Sequence, residues 1–525
     1  MRRLGASVAG AAGTIAVLTL LSRIVGFVRV WAQNGALGDT QAGSAFATAN
    51  TVPNVLFEVA AGGALAGAVI PLISGFLATN MGKELRQTAS ALLTWICVIG
   101  FGVAFIVFFT AHPIMHFLLG SQASSAEVEL GARLLRIFAF QVPLYGISVV
   151  LTGVLQAHKR FLLPALAPML SSFAVLATFG LFVWLAEGHQ NMPALLRDSA
   201  VYVLGWGTTF GVVVFSLPQL IPVMRLTKIR PTFTFPEGVG RRVIKLAGAG
   251  LGGLLAQQVY IVAAMLFANS HGGTGAYPIF TFANAVYFLP YAVLTVPIAT
   301  AVFPRLSEAA ALPERPGLEM LTARSTRLVM ENGIISAGLL IVMAAPAQIV
   351  FNLLRSAQSM DIAMIAMAPG LVGFSLIYHC SRVLYAVEAS RAVFVTNSVA
   401  WLSVVAGFGV AALMGVSGRI PTLIAIGISM SIGMAIGAVG EILAIRSTVG
   451  KGATSGIAKA ALILVVSTAI SSTIAFVLVR LILVSMSMVW GLICAVLCGA
   501  VIVLGAGFAT IWLFDRSALQ LTQKS

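Results

Sequence analysis

Arg23, Arg29 and Glu58 are charged side chains set inside apolar stretches long enough to cross a bilayer. The first stretch reads TIAVLTLLSRIVGFVRVWAQNGALG and the second SAFATANTVPNVLFEVAAGGALAGAVIPLIS, joined through Asp39 and Thr40. A charge at the bilayer centre costs about 2.5–3.5 kcal/mol on insertion scales, so such residues face a bundle interior or a watery cavity. Guanidinium groups in that setting can grip an anion, because their fork of N–H donors matches paired phosphate or carboxylate oxygens. At 3.6 residues per turn, Arg23 and Arg29 take adjacent faces of one helix, and Glu58 falls at a similar depth on the next. The expectation is a cationic wall in which Glu58 pairs with one of the arginines. Asn50 and Asn54 on the same segment, and Asn284 as the counterpart of Asn50 in the second half, complete the candidate substrate-binding set. The competing reading is a structural ion pair between packed helices, with Arg29 reaching outward along its own stem.

The elements that must position these residues dominate the chain. Its 525 residues are 59% hydrophobic and 9% charged, with a mean hydropathy of +1.01. That composition excludes a water-soluble globular domain and defines a polytopic membrane protein. The net charge of +15 is spread singly or in pairs between apolar segments. It therefore reads as positive-inside patterning, and no nucleic-acid partner is expected. Met1-Arg2-Arg3 leads into an apolar run longer than a signal-peptide core, so the first helix is expected to stay. Cys97, Cys380, Cys494 and Cys498 all lie in apolar segments without metal-ligand spacing.

Counting stretches of about 20 apolar residues gives about fourteen transmembrane helices. They run over 8–34, 45–76, 88–111, 131–157, 161–186, 199–224, 243–269, 277–304, 326–352, 361–387, 392–416, 421–446, 457–483 and 487–514. Alternate loops hold Arg2, Arg3, Lys83, Arg86, Lys159, Arg160 and most of the later basic residues, against only Arg197, Arg355, Arg419 and Arg480 on the other side. This places both termini in the cytoplasm.

The second span ends AVIPLIS (68–74) and the eighth AVFPRLS (301–307); the fourth ends VLQAHKR and the tenth VLYAVEASR. Spans six apart share orientation, so the pattern predicts a parallel repeat of two six-helix lobes about an axis along the membrane normal. The expected divisions are an N-lobe over 1–225, a C-lobe over 226–450, and two unpaired C-terminal spans over 451–525. Pro53, Pro143, Pro164, Pro168, Pro290 and Pro297 break helices near membrane depth, as suits helices that face a cavity or rock. Gly63 with Gly67, and Gly433 with Gly437, have the spacing of close helix contacts.

Catalytic chemistry finds little footing. The aspartates Asp39, Asp198, Asp361 and Asp515 lie in loops or past the last span and do not pair at helical spacing. GAGLGG (248–253) follows a basic loop rather than a strand, which argues for helix packing and against a phosphate loop. His112 and His116 lack a third ligand. No enzyme activity, cofactor or metal site is expected.

Taken together, SRIVGFVR (22–29), AFATANTVPNVLFEVAAGGAL (45–65), LQAHKRFLLPALAPMLS (155–171) and TVPIATAVFPRLSEAA (295–310) resemble the MurJ/MviN lipid II flippases of the multidrug/oligosaccharidyl-lipid/polysaccharide exporter superfamily. The resemblance implies two six-helix lobes about a cationic cavity, and alternating-access transfer of lipid-linked peptidoglycan precursor from the cytoplasmic to the outer leaflet of the bacterial cell membrane. It also implies a polyprenyl-tail groove near 457–514 and first-span arginines at Arg23 and Arg29. Partners would be lipid II, membrane lipids, and proteins of peptidoglycan synthesis or division.

The chain departs from the family pattern at Ser44, Phe57, Glu58 and Ala285, which makes the cavity less positive. The spans holding Gln257, Gln258 and Asn397 lack the carboxylates of the family's sodium site. Alternative readings are an exporter of another lipid-linked oligosaccharide, a drug/cation antiporter using Glu58, Glu331 or Glu441, and a non-transporting scaffold for wall-synthesis enzymes.

Overall fold

A computed structural model describes residues 18, 21–59 and 66–519, with the side chains of 66–68 and 244–253 outside the description. Every regular element among the described residues is helical. Ten helices are long and apolar enough to cross a membrane, and the pair Met360–Met367 and Gly370–Ala386, bent by 50°, makes an eleventh. These coincide with eleven of the expected spans. The other three, 8–34, 45–76 and 243–269, overlap the residues or side chains outside the description. Gly63 also lies there, whereas GAGLGG is continuous helix within Val239–Gly272.

The chain forms two compact units, 1–270 and 271–525. The basic link after the sixth span belongs to the first unit because it is pinned to the helix Gly82–Phe109. Trp95 Nε1 donates to the Phe233 carbonyl at 3.0 Å, and the Arg230 and Thr232 amides donate to Ser90 and Thr94 hydroxyls at 3.1 Å each.

The first unit packs around an aromatic centre. Phe46, from the helix Gln41–Glu58, meets Phe138 edge-on at 5.7 Å and Phe179 at 5.8 Å between ring centroids. That helix starts where its N-cap Thr40 accepts from the Gly43 amide at 3.1 Å and donates to the Leu37 carbonyl at 2.6 Å, satisfying an otherwise orphaned helix end. A Cβ on Gly100 would come within 2.8 Å of Pro143 Cα, so the third and fourth spans touch almost backbone to backbone.

The internal repeat is visible at backbone level. After Gln141–Ala157, Lys159 turns left-handed at φ 60°; after Gly370–Ala386, Glu388 does so at φ 61°. Closing bonds match as well, Arg160 N to Leu155 O and Ala389 N to Leu384 O, both 2.8 Å. VLQAHKR and VLYAVEASR are thus one helix-ending device used twice, capping orphan carbonyls with a left-handed residue.

In the second unit the long helix Leu318–Asn352 packs against Ile457–Ser485, Met488–Phe514 and Gly370–Ala386. Arg327 fastens that assembly. Its Nε donates to Asp515 at 2.6 Å, Nη1 to the Ser455 carbonyl at 2.9 Å and Nη2 to Ser517 at 2.9 Å. Burial raises the Asp515 pKa, but hydrogen bonds from Arg327 and Ser517, together with the guanidinium charge, hold the carboxyl below its ordinary value of 3.8.

Candidate functional site

A cavity of about 150 Å³ opens inside the first unit, lined by Arg29, Gln33, Phe46, Asn50, Asn54, Tyr145, Ser171, Val175, Phe179, Thr208 and Val212. Four of the five contributing helices present residues at four-residue spacing: Arg29 and Gln33; Phe46, Asn50 and Asn54; Ser171, Val175 and Phe179; Thr208 and Val212. Residues four apart share a helix face, so a bundle of such stripes encloses a common space. Phe46 and Phe179 belong both to the aromatic centre and to this wall, so the cavity's floor is the unit's own core.

Arg29 is the one permanently charged side chain in the lining. Around it stand the neutral amides of Gln33, Asn50 and Asn54, the Tyr145 phenol, and the Ser171 and Thr208 hydroxyls. Pro53 leaves the Ala49 carbonyl without its helical donor one turn from the cavity, and Asn54 Nδ2 donates back to the Asn50 carbonyl at 2.7 Å. A guanidinium among neutral donors is suited to an anion, since charge-assisted hydrogen bonds to an anionic oxygen are roughly twice as strong as neutral ones.

The structure brings Arg29, Asn50 and Asn54 together. Arg23 and Glu58 are exposed and do not line this cavity. The expected pairing of Glu58 with Arg23 or Arg29 is not formed. Ion pairs among the described residues instead include Arg133–Asp198, Arg136–Glu129, Arg197–Glu187 and Arg327–Asp515. Phe57 rather than Glu58 turns onto Tyr145, with ring centroids 4.5 Å apart, and Tyr145 feels the charges of both Arg29 and Glu58. Asn284 belongs to the second unit, where its Oδ1 is buried without a hydrogen-bond partner. Gln33 and Tyr145 were not among the expected residues. Gln33 carries a readable signal, one turn beyond Arg29, and Tyr145 follows the helix-breaking Pro143.

The second unit holds a cavity of about 310 Å³ lined by Val286, Leu289, Pro290, Val293, Leu294, Leu339, Leu340, Met343 and Leu504. Every lining residue is apolar. The π-helical turn Tyr291–Thr295, between Pro290 and Pro297, widens the helix here.

Long apolar helices in two units that share a helix-ending device make this a multi-pass membrane protein. Solved structures share its fold. "Lipid II flippase MurJ, inward closed conformation" aligns over 96% of this chain and 100% of that one, with a TM-score of 0.75 at 18% identity. An inward-facing multidrug resistance MATE family transporter of the MOP superfamily aligns over 82% and 94%, with a TM-score of 0.63 at 17% identity.

The chain belongs to the lipid II flippase MurJ family, whose family model matches residues 34–499. Among curated relatives, the lipid II flippase MurJ of Burkholderia cenocepacia is 29% identical over 312 residues, 56% of this chain and 56% of its own length. The probable lipid II flippase MurJ of Synechocystis sp. is 28% identical over 235 residues, 44% and 43% respectively. The chain thus spans about half the length of the curated relatives it matches.

Proposed function

We propose that this protein is a lipid II flippase that carries lipid-linked peptidoglycan precursor from the cytoplasmic to the outer leaflet of the bacterial cell membrane by alternating access. The observation that supports this most is Arg29, the single charged side chain in a cavity otherwise lined by neutral polar groups and apolar side chains. A diphosphate is the anionic part of such a lipid, and bidentate guanidinium contacts suit its oxygens. The apolar cavity of the second unit suits a polyprenyl chain, and Leu504 brings the last span into its wall.

In this reading Arg29, Asn50 and Asn54, joined by Gln33 and Tyr145, hold the head group. Arg23, Glu58 and Asn284 contact substrate at other stages of the cycle. The lobes divide at 225/226, with 451–525 appended, and loop charge puts both termini in the cytoplasm. The protein moves substrate without chemical conversion, alongside membrane lipids and proteins of wall synthesis or division.

A drug/cation antiporter has the buried carboxylates Glu331 and Glu441 in its favour. Both lie outside the Arg29 cavity, whose single charge would repel a cation. The test is binding by the purified protein of lipid II, undecaprenyl phosphate and a panel of cationic drugs. Preference for lipid II over both supports the reading, and preference for the drugs overturns it. A scaffold would complement flippase-depleted cells equally well as wild type, Arg23→Ala or Arg29→Ala; a flippase would not.

A further inference from the structure

Glu441 lies on the helix Arg419–Thr448, about 10 Å from its C-terminal end. The residue is wholly buried, at 0% exposure. Close packing puts it there: a Cβ on Gly433 would stand 2.7 Å from the Ala400 carbonyl oxygen, and one on Gly437 2.5 Å from Ala400 Cβ. The helix Ser390–Leu413 therefore approaches closely enough to set Thr396 and Asn397 against the carboxyl group, and Gly370–Ala386 adds Ser381.

Only one of the two carboxyl oxygens is provided for. Oε1 receives Ser381 Oγ at 2.7 Å and Asn397 Nδ2 at 3.1 Å. Thr396 Oγ1 stands 3.3 Å from the same Oε1 and 2.9 Å from the Ala392 carbonyl, so its one hydrogen can serve only one of them at a time. Oε2 is buried without a hydrogen-bond partner. None of the ion pairs among the described residues includes Glu441.

The ionisable groups facing it from Gly370–Ala386 are Cys380 and Tyr385, both of which feel its charge. Arg382 of that helix is turned instead onto Tyr378, 3.6 Å from the ring centroid, and donates to the Tyr378 carbonyl. The helix Ser390–Leu413 contributes only the neutral Thr396 and Asn397 at this point. Asp361 and Lys451, on the other packed segments, form no ion pair with it.

A carboxylate shares its charge between both oxygens, so an ionised Glu441 would leave half of that charge without a donor in the protein interior. Buried groups in that position neutralise themselves or bind a cation. We propose that Glu441 is a proton-binding site of the second unit, occupied in the conformation seen here and emptied through the Ser381 hydroxyl, which can accept one proton as it gives up another. Ser381 is half-buried, so the hydrogen-bonded path leads from the acid toward the surface of the unit, and Asn397 donates to the same oxygen without relaying. Release breaks the O–H bond at the carboxyl group and delivers the proton to water beyond Ser381; uptake reverses it. Using this proton to drive transport rests on the flippase reading above, whereas its presence does not.

The experiment is difference infrared spectroscopy of the full chain in lipid vesicles without lipid II, from neutral into alkaline pH. A carboxylic-acid carbonyl band is expected at neutral pH, lost as pH rises, absent in Glu441→Gln and displaced in Ser381→Ala, which keeps the acid but removes its nearest donor. The proposal is overturned if neither variant alters the spectrum, or if sodium at constant pH removes the wild-type band, which would make this an alkali-cation site. With lipid II present, a pH gradient should accelerate flipping by wild type and not by Glu441→Gln. A gradient response that survives in that variant removes the coupling role. Absence of flipping in wild type beside an intact infrared band sinks the flippase reading alone.

Discussion

Arg29 and Arg327 are both withdrawn from bulk water, and the two units treat them in opposite ways. Arg327 has its Nε and both terminal nitrogens committed to Asp515, Ser455 and Ser517. Arg29 lines a cavity with neutral amides and a phenol, and no ion pair among the described residues includes it. Two cavities differ in the same sense, the one around Arg29 polar and the one beside Leu289 and Met343 wholly apolar, while Arg327 lines a second-unit cavity of about 150 Å³ together with its counter-ion Asp515, Glu331 and Lys459. A buried charge locked to its counter-ion fastens a structure, whereas one surrounded by neutral donors remains able to bind. In the proposed reading, the Arg29 cavity suits an anionic head group and the apolar cavity suits a hydrocarbon chain.

The sharpest way to break that comparison is to exchange the outcomes of the two arginines. Removing Arg327 by Arg327→Ala should destabilise the second unit by about 3–5 kcal/mol, the usual cost of stranding one partner of a buried pair, seen as a lower thermal midpoint in detergent. The contribution of Asp515 depends on pH with a definite sign. Because its folded pKa lies below 3.8, that stability is complete above the ordinary aspartate pKa and is lost as pH falls through the folded value. The difference in midpoint between wild type and Asp515→Asn should accordingly shrink as the pH is lowered into that range.

A smaller effect is expected in the apolar cavity. Filling it with Leu339→Trp should weaken lipid II binding about tenfold, equivalent to about 1.4 kcal/mol, while leaving binding of a tail-less sugar diphosphate unchanged. Equal loss for both ligands would mean that the cavity does not hold the tail. Smaller again is Tyr145→Phe, which removes one hydroxyl beside Arg29 and should weaken diphosphate binding by about 0.5–1.5 kcal/mol, a few-fold. Glu58→Gln should change that affinity least, since Glu58 makes no ion pair with Arg29 and contacts substrate only at other stages of the proposed cycle; a large gain or loss would show that the two charges meet in the substrate-bound state.

Much of this architecture is legible in the chain itself. Hydropathy locates the described spans, because hydrocarbon enforces long apolar helices, and VLQAHKR with VLYAVEASR reveals a repeat whose turns match in backbone detail. The site was only partly readable. Arg29, Asn50 and Asn54 stand out because a polar side chain at membrane depth is costly. Tyr145 does not, because an aromatic residue in an apolar run looks the same whether it packs or lines a cavity. The proposed Glu58 pairing failed for a related reason: equal depth on neighbouring helices says nothing about rotation, and Phe57 occupies the face that meets Tyr145. Nor does sequence distinguish a locked arginine from an available one, since Asp515 reaches Arg327 only through the folding of the last span.

The most direct test of the central claim is the initial rate of lipid II translocation in proteoliposomes containing wild type, Arg29→Lys or Arg29→Ala, at equal protein content and equal thermal midpoint. The account predicts a fall of about tenfold or more for Arg29→Ala, as for the loss of a charged hydrogen bond of about 1.5–3 kcal/mol, with a smaller fall for Arg29→Lys. An Arg29→Ala rate equal to wild type in well-folded protein would contradict it.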